Sequence, residues 1–244
     1  MYHGLARPDA VRAADRRYAV APEAFAAQLE VLGEAGLAGW TGTEAVAQDG
    51  GGVGITFDDG CASDVLEAAP RLHAAGCGAT FFVVTSWVGR PRHVSVGGLR
   101  ELDAAGFELG IHSRTHAPLS TLSPAALRNE VAGAKAELED WLGHEVAHLS
   151  CPGGRWSPAV ARAAAEAGLR TVCTSDPGVV TPSGDRFRLP RQVVLRTTSP
   201  GAFAALCRGA VPWPRRARHH ALRWTRDALG EHRYRRARAV LPGR

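Results

Sequence analysis

Long apolar runs are missing from this chain of 244 residues. No run approaches the ~18 residues that a membrane-spanning helix needs, so no such helix is expected. Cysteine is sparse and poorly spaced for a scaffold, with five residues, an odd number. Cys61, Cys77, Cys151, Cys173 and Cys207 therefore read as buried small residues or free thiols, which excludes a disulfide framework and suits a reducing compartment. Lysine is almost absent: Lys135 is the only one, and arginine carries the rest of the positive charge. Together with the abundant Ala and Gly, this reads as compositional bias. No repeat with a period of about 20–50 residues is present, which excludes solenoids and propellers. Met1 is followed directly by Tyr2-His3. With no basic segment and apolar stretch after it, no secretory leader is read there, and a cytoplasmic location is expected.

What remains is ordinary for a folded α/β protein. The chain is 45% hydrophobic and 22% charged, with a formal charge of +5, and its length and apolar mass suit one large α/β domain or two small ones. Short β-branched or aromatic runs alternate with helical patterns. Strands are expected at Gly54–Phe57, Thr80–Val84, Phe107–Ile111, Val146–Cys151, Thr171–Thr174 and Val193–Leu195. Helices are expected at Ala62–Ala75, Gly97–Ala105, Ser123–Leu142, Ser157–Gly168 and Ser199–Cys207. The dipeptides Ser123-Pro124 and Ser157-Pro158 supply an N-cap followed by proline at the first helical position. Such alternation argues for βαβ units around a parallel sheet, and in a (β/α) barrel the active site collects at the C-terminal strand ends.

Two clusters fall at such ends. Thr56-Phe57-Asp58-Asp59-Gly60 sets adjacent carboxylates after an apolar run, where a glycine permits a sharp turn. His112-Ser113-Arg114-Thr115-His116 sets two imidazoles four residues apart, close enough to share a face. One carboxylate and two histidines make a three-ligand set that leaves open positions on a metal. The second carboxylate is then free to act as a base.

These motifs resemble the polysaccharide deacetylases of the NodB-homology type, carbohydrate esterase family 4. Leu149-Ser150-Cys151-Pro152-Gly153-Gly154 is similar to that family's third motif, and the resemblance covers roughly residues 1–208. It implies a distorted (β/α) barrel over residues 1–210, followed by a basic helical extension over 211–244. It also implies metal-dependent removal of acetyl groups from an N-acetylated carbohydrate. By position, Asp59, His112 and His116 would hold a divalent metal, zinc first, with cobalt, nickel or manganese as alternatives. Asp58 would be the general base, and the backbone N–H of Gly153 would serve the oxyanion, a role that needs no side chain.

Two departures from the family pattern are visible. The third motif commonly carries an arginine that orients the base. Ser150 stands there instead, and Arg191 is the expected substitute. The late Leu-x-His motif lacks its histidine, since Leu195 is followed by Arg196-Thr197. The opening Tyr2-His3 resembles the branch typified by poly-N-acetylglucosamine deacetylases, in which this strand lies at the N-terminus. His3 would then be the general acid, with a bell-shaped pH–rate profile expected. A hydrolase of another small amide, and a sugar-binding homologue that has lost catalysis, remain as alternatives.

Trp87 and Trp156 suit either packing or a sugar face. His144 and His148 repeat the four-residue spacing but flank a strand without a partnering Asp, and they read as structural. Beyond Val211 the chain is crowded with arginine from Arg215 to Arg238. An appended basic helix is expected there, with an anionic membrane surface as one partner. That docking would make the location peripheral at the inner membrane face. No nucleic-acid reader motif accompanies the charge.

Overall fold

A computed structural model describes residues 1–7 and 16–213, together with 216, 217, 221 and 225. The expected basic helix over 211–244 lies almost wholly outside the described residues.

The chain first forms helix α1 (Pro22–Glu34), strand β1 (Ala38–Trp40), helix α2 (Gly42–Ala47) and strand β2 (Gly52–Gly54). Strand β3 (Thr56–Phe57), helix α3 (Ala69–Ala74), strand β4 (Thr80–Val83), helix α4 (Val96–Ala104) and strand β5 (Glu108–Ile111) follow. Helices α5 (Pro124–Arg128) and α6 (Ala134–Leu142) lead to strand β6 (His148–Ser150), helix α7 (Pro158–Glu166), strand β7 (Thr171–Cys173) and helix α8 (Pro200–Cys207). β1 and β2 pair by themselves, while β3-β4-β5-β6-β7 form one parallel five-stranded sheet in sequence order. This is the expected distorted barrel.

Serine caps start the helices where the sequence places them. Ser123, Ser157 and Ser199 each accept from the backbone N–H three residues on, ahead of a proline. Each cap satisfies a donor that the first helical turn would otherwise leave orphaned. Two expected helices are less regular than their periodicity suggests. The one read from Ala62 opens with a π turn over Asp64–Ala68. Pro70, just inside α3, has no N–H to give to a regular ladder. The one read from Ser123 carries a second π turn, Asn129–Gly133, between α5 and α6.

The barrel is closed by isolated bridges rather than strands. On one side Leu189 bridges Cys173 in parallel. On the other, Tyr2 lies along β3, its N–H donating to the Thr56 carbonyl at 2.7 Å and its carbonyl accepting from Asp58 at 3.0 Å. Between them Val194 donates to the Met1 carbonyl at 3.0 Å. The expected strand Val193–Leu195 is therefore corrected to a short link, in which the Met1 ammonium also donates to the Gln192 carbonyl at 2.9 Å. The reason is local: the Leu195 N–H is taken at 2.9 Å by the Thr198 hydroxyl, which turns the chain away. The expected strand Gly54–Phe57 is likewise split at Ile55, its first residue pairing with β1 and its last two with β4.

The core fills the space between strands and helices. Phe57, Phe81, Ile111, Leu149 and Val172, one from each strand of the main sheet, are buried together. Tyr2 is stacked on Phe57 with ring centroids 5.2 Å apart, and its hydroxyl donates to Gln28 at 2.9 Å. A buried aromatic with its polar tip satisfied is a firm anchor. Tyr2 therefore holds the next residue, His3, against the strand end.

The starts of β4 to β7 carry a polar layer instead of an apolar one. Thr80, Glu108, His148 and Thr171 are the first residues of their strands. His148 meets Glu108 Oε1 at 2.9 Å and Thr171 Oγ1 at 2.6 Å, while Thr80 donates to Glu108 Oε2 at 2.6 Å. The N–H of Gly42, at the start of α2, reaches the Thr80 hydroxyl at 2.7 Å, and the Thr43 hydroxyl also meets Glu108. This network ties α2 to the floor of the barrel.

Candidate active site

Asp58 and Asp59 diverge because the backbone turns over between them. Asp59 has φ 81° and Gly60 has φ 64°. Two successive left-handed residues reverse the extended path of β3. At Asp59 that conformation costs about 1–2 kcal/mol, since its Cβ crowds the carbonyl. The sequence pointed to Gly60 for this turn, and the aspartate shares it.

Asp59 faces the histidines. His112 Nε2 lies 3.5 Å and His116 Nε2 lies 3.4 Å from Asp59 Oδ1. One ligand atom from each residue falls within 4.8 Å of the other two. Asp59 Oδ1 is buried and has no hydrogen-bond partner among the described residues, a state that costs free energy unless a ligand satisfies it. His112 donates from Nδ1 to the Ser150 carbonyl at 2.8 Å, which leaves the lone pair on Nε2 facing Asp59. Burial pushes the His112 pKa down to about 4, so the imidazole is neutral, as a metal ligand must be. Burial alone would raise the Asp59 pKa. The facing His116 and the other nearby imidazoles outweigh it and hold the carboxyl below its usual range. Converging atoms, an orphaned oxygen and a fixed tautomer together fit a divalent cation.

The loop bearing the histidines is also strained. Ser113 has φ 61° and His116 has φ 62°. The His116 ring is packed against Trp87, centroids 5.0 Å apart, and Trp87 in turn meets His93 at 4.9 Å. Trp87 thus braces the His116 ring. Trp156 is tied down elsewhere, its Nε1–H donating to the Phe187 carbonyl at 2.6 Å under the Arg188 guanidinium.

Asp58 points to the other side and is 3% exposed. Arg191 meets it with both prongs, Nη1 to Oδ1 at 2.7 Å and Nη2 to Oδ2 at 2.8 Å. Ser150 donates to Asp58 Oδ2 at 3.1 Å and accepts from Arg191 Nη2 at 2.7 Å. The arginine is itself fixed by the Thr174 carbonyl and the Thr56 hydroxyl. Burial alone would raise the Asp58 pKa, but the guanidinium more than offsets it and holds the carboxyl far below the usual range. The residue that replaces the motif arginine and the arginine expected to substitute for it touch the same carboxylate.

His3 stands near this pair. Its ring lies against Tyr18 with centroids 4.5 Å apart, and its Nδ1 is buried without a partner among the described residues. Burial lowers the His3 pKa, while the charges of Asp59 and Asp58 pull it up. Gly153 sits on the turn after β6, exposed, with φ 57° and open space where a Cβ would stand.

Other residues behave differently from expectation. His144 and His148 do have carboxylate partners, Asp103 at 2.9 Å and Glu108 at 2.9 Å. The partners are separate, so the pair is structural but not for want of an acid. Two buried acids were not anticipated. Asp64 lies just after the Asp58–Asp59 turn, is 1% exposed, and has its pKa raised well above the carboxylate range by burial. Glu130 is 7% exposed on the helix behind the histidine loop. Its signal was present in the sequence: it falls on the inward stripe Leu127, Glu130, Val131, Ala134, Leu138, where an acid is out of place.

The family described as polysaccharide deacetylase matches residues 45–172. The chitooligosaccharide deacetylase of Bradyrhizobium sp. (strain ANU 289) is 32% identical over 170 residues, covering 67% of this chain and 73% of that protein. YxkH of Bacillus subtilis (strain 168) is 28% identical over 151 residues, 62% of this chain and 54% of that protein. The chain thus spans about half of that relative's length. Among solved structures, the Streptococcus pyogenes deacetylase PplD in complex with acetate shares the fold with a TM-score of 0.76 and 21% identity, covering 83% of this chain and 93% of that one. The chain belongs to the polysaccharide deacetylase family.

Proposed function

We propose that the protein is a metal-dependent hydrolase that removes the acetyl group from an N-acetylated sugar. The observation that carries this reading is the placement of two adjacent carboxylates in different environments. Asp59 converges with His112 and His116, while Asp58 is clasped by Arg191.

Asp59, His112 and His116 would hold a divalent cation, zinc in the first instance. When bound, such an ion supplies Lewis-acid polarisation of the amide carbonyl and makes a neighbouring water more acidic. Asp58 is kept ionised and pointed by Arg191 and Ser150, so it accepts the proton of the attacking water. Gly153 offers its backbone N–H to the developing oxyanion, and the open space above its Cα leaves room for the approach. His3 donates a proton to the departing amine. Acetate and a free amino sugar are the products.

The test is acetate release from N-acetylglucosamine oligomers and from nucleotide-linked and lipid-linked N-acetyl sugars by zinc- or cobalt-loaded protein. Metal binding without release from any of these would overturn the reading. The arginine-rich segment beyond 211 supports docking on an anionic membrane face. Co-sedimentation with anionic but not neutral vesicles checks it.

A further inference from the structure

We infer that Glu130 is the positioning residue that sets the geometry of the metal-ligating loop. The inference rests on the metal site of the proposed function and goes beyond it to a residue that touches no ligand atom.

The Glu130 carboxylate faces the segment between the two histidines. Its Oε2 accepts from the Arg114 N–H at 3.0 Å and from the Thr115 N–H at 2.9 Å. Its Oε1 accepts from the Thr115 hydroxyl at 2.7 Å. Successive N–H groups next to a left-handed residue form a nest for an anion. Here Ser113 is the left-handed residue and the anion is a side chain of the same protein. Charge-assisted hydrogen bonds of this kind are about twice as strong as neutral ones. They offset the strain at Ser113 and His116, which flank the two residues that Glu130 holds. A second brace ends on the same helix: Glu137 accepts from Arg114 Nε at 2.8 Å and from the Thr85 hydroxyl at 2.6 Å.

The π turn explains how an acid reaches this position. It spans Asn129–Gly133 and lets both Glu130 and Val131 face inward at one level. Val131 packs in the core while Glu130 meets the loop. π turns of this sort are found preferentially at functional sites. The two imidazoles therefore hold their relative placement through a carboxylate one layer out, in the way that outer partners commonly orient metal ligands.

The experiment compares the full chain with Glu130→Gln, which keeps size and removes the charge and one acceptor. Zinc affinity is measured by competition with a chromophoric chelator, together with the visible absorption of the cobalt-loaded protein. Zinc affinity is expected to fall about 10–100-fold with a changed cobalt spectrum. The melting temperature of the metal-free protein separates this from general unfolding. Equal affinity and an identical spectrum in a folded Glu130→Gln protein would overturn the inference. If Glu130→Gln does not fold, Thr115→Val removes one of the three bonds and leaves the carboxylate in place. Several-fold weaker zinc binding is then expected, and unchanged binding overturns the inference. A wild-type protein that binds no zinc would instead sink the metal site itself.

Discussion

Arg191 crosses 133 residues of sequence to meet Asp58 in a two-pronged ion pair sealed from solvent. The fork is what lysine cannot reproduce, since an ammonium is a point charge without planar geometry. Arg191→Met leaves a carboxylate buried without its counter-charge and should cost about 3–5 kcal/mol in urea unfolding. Adding Asp58→Asn to Arg191→Met should recover part of that loss while leaving acetate release abolished. A double variant no more stable than Arg191→Met alone would show that the pair is not the source of the effect.

The two aspartates should fail in different ways. Asp58→Asn is expected to lower kcat by about 10²–10⁴-fold, the usual value of a positioned base, with metal content unchanged. Asp59→Asn should lose the metal itself. Metal analysis and single-turnover acetate release on both variants distinguish the roles. Unchanged turnover in Asp58→Asn rules out its part as base.

His3 is the proposed proton donor. Burial lowers its pKa against the pull of Asp59 and Asp58. An acid must be protonated to act, so activity falls as pH rises through this value. His3→Gln should remove that alkaline limb and lower kcat by about 10²–10⁴-fold, with zinc affinity preserved. A pH profile of kcat/KM that keeps both limbs in His3→Gln would assign the limb to another group.

The floor of the barrel offers a stability test away from the chemistry. Burial alone would raise the Glu108 pKa, but hydrogen bonds from His148, Thr43 and Thr80 and the His148 charge bring it from 4.5 down to about 2. A depressed carboxylate stabilises the fold above its unfolded pKa and loses that contribution as pH falls toward the folded value. The shift corresponds to something on the order of 3 kcal/mol. Glu108→Gln should therefore be less stable at neutral pH and show a flatter decline between about pH 4.5 and 2. Equal slopes of unfolding free energy against pH would count against this role.

Much of the molecule could be read from local pattern. The strands, the serine caps and the glycine stops depend on neighbours a few residues away, so their chemistry is visible in order along the chain. The same holds for Thr56–Gly60 and His112–His116, each a compact cluster on one turn. The irregularities were less legible. The π turns at Asp64–Ala68 and Asn129–Gly133 keep a helical spacing of apolar residues, so periodicity alone passes over them. The failed strand at Val193–Leu195 has the right composition, but the Thr198 hydroxyl takes its N–H.

The sequence by itself determined which residue types carry the chemistry and that they end parallel strands, because side-chain identity and hydrophobic alternation are properties of short segments. Only the tertiary structure decided how they divide the work. The pairing of Arg191 with Asp58, the placing of His3 by the Tyr2–Phe57 stack, and the hold of Glu130 on the histidine loop join segments distant in sequence. Such contacts exist only once the barrel closes and burial makes each unsatisfied charge too costly to leave alone.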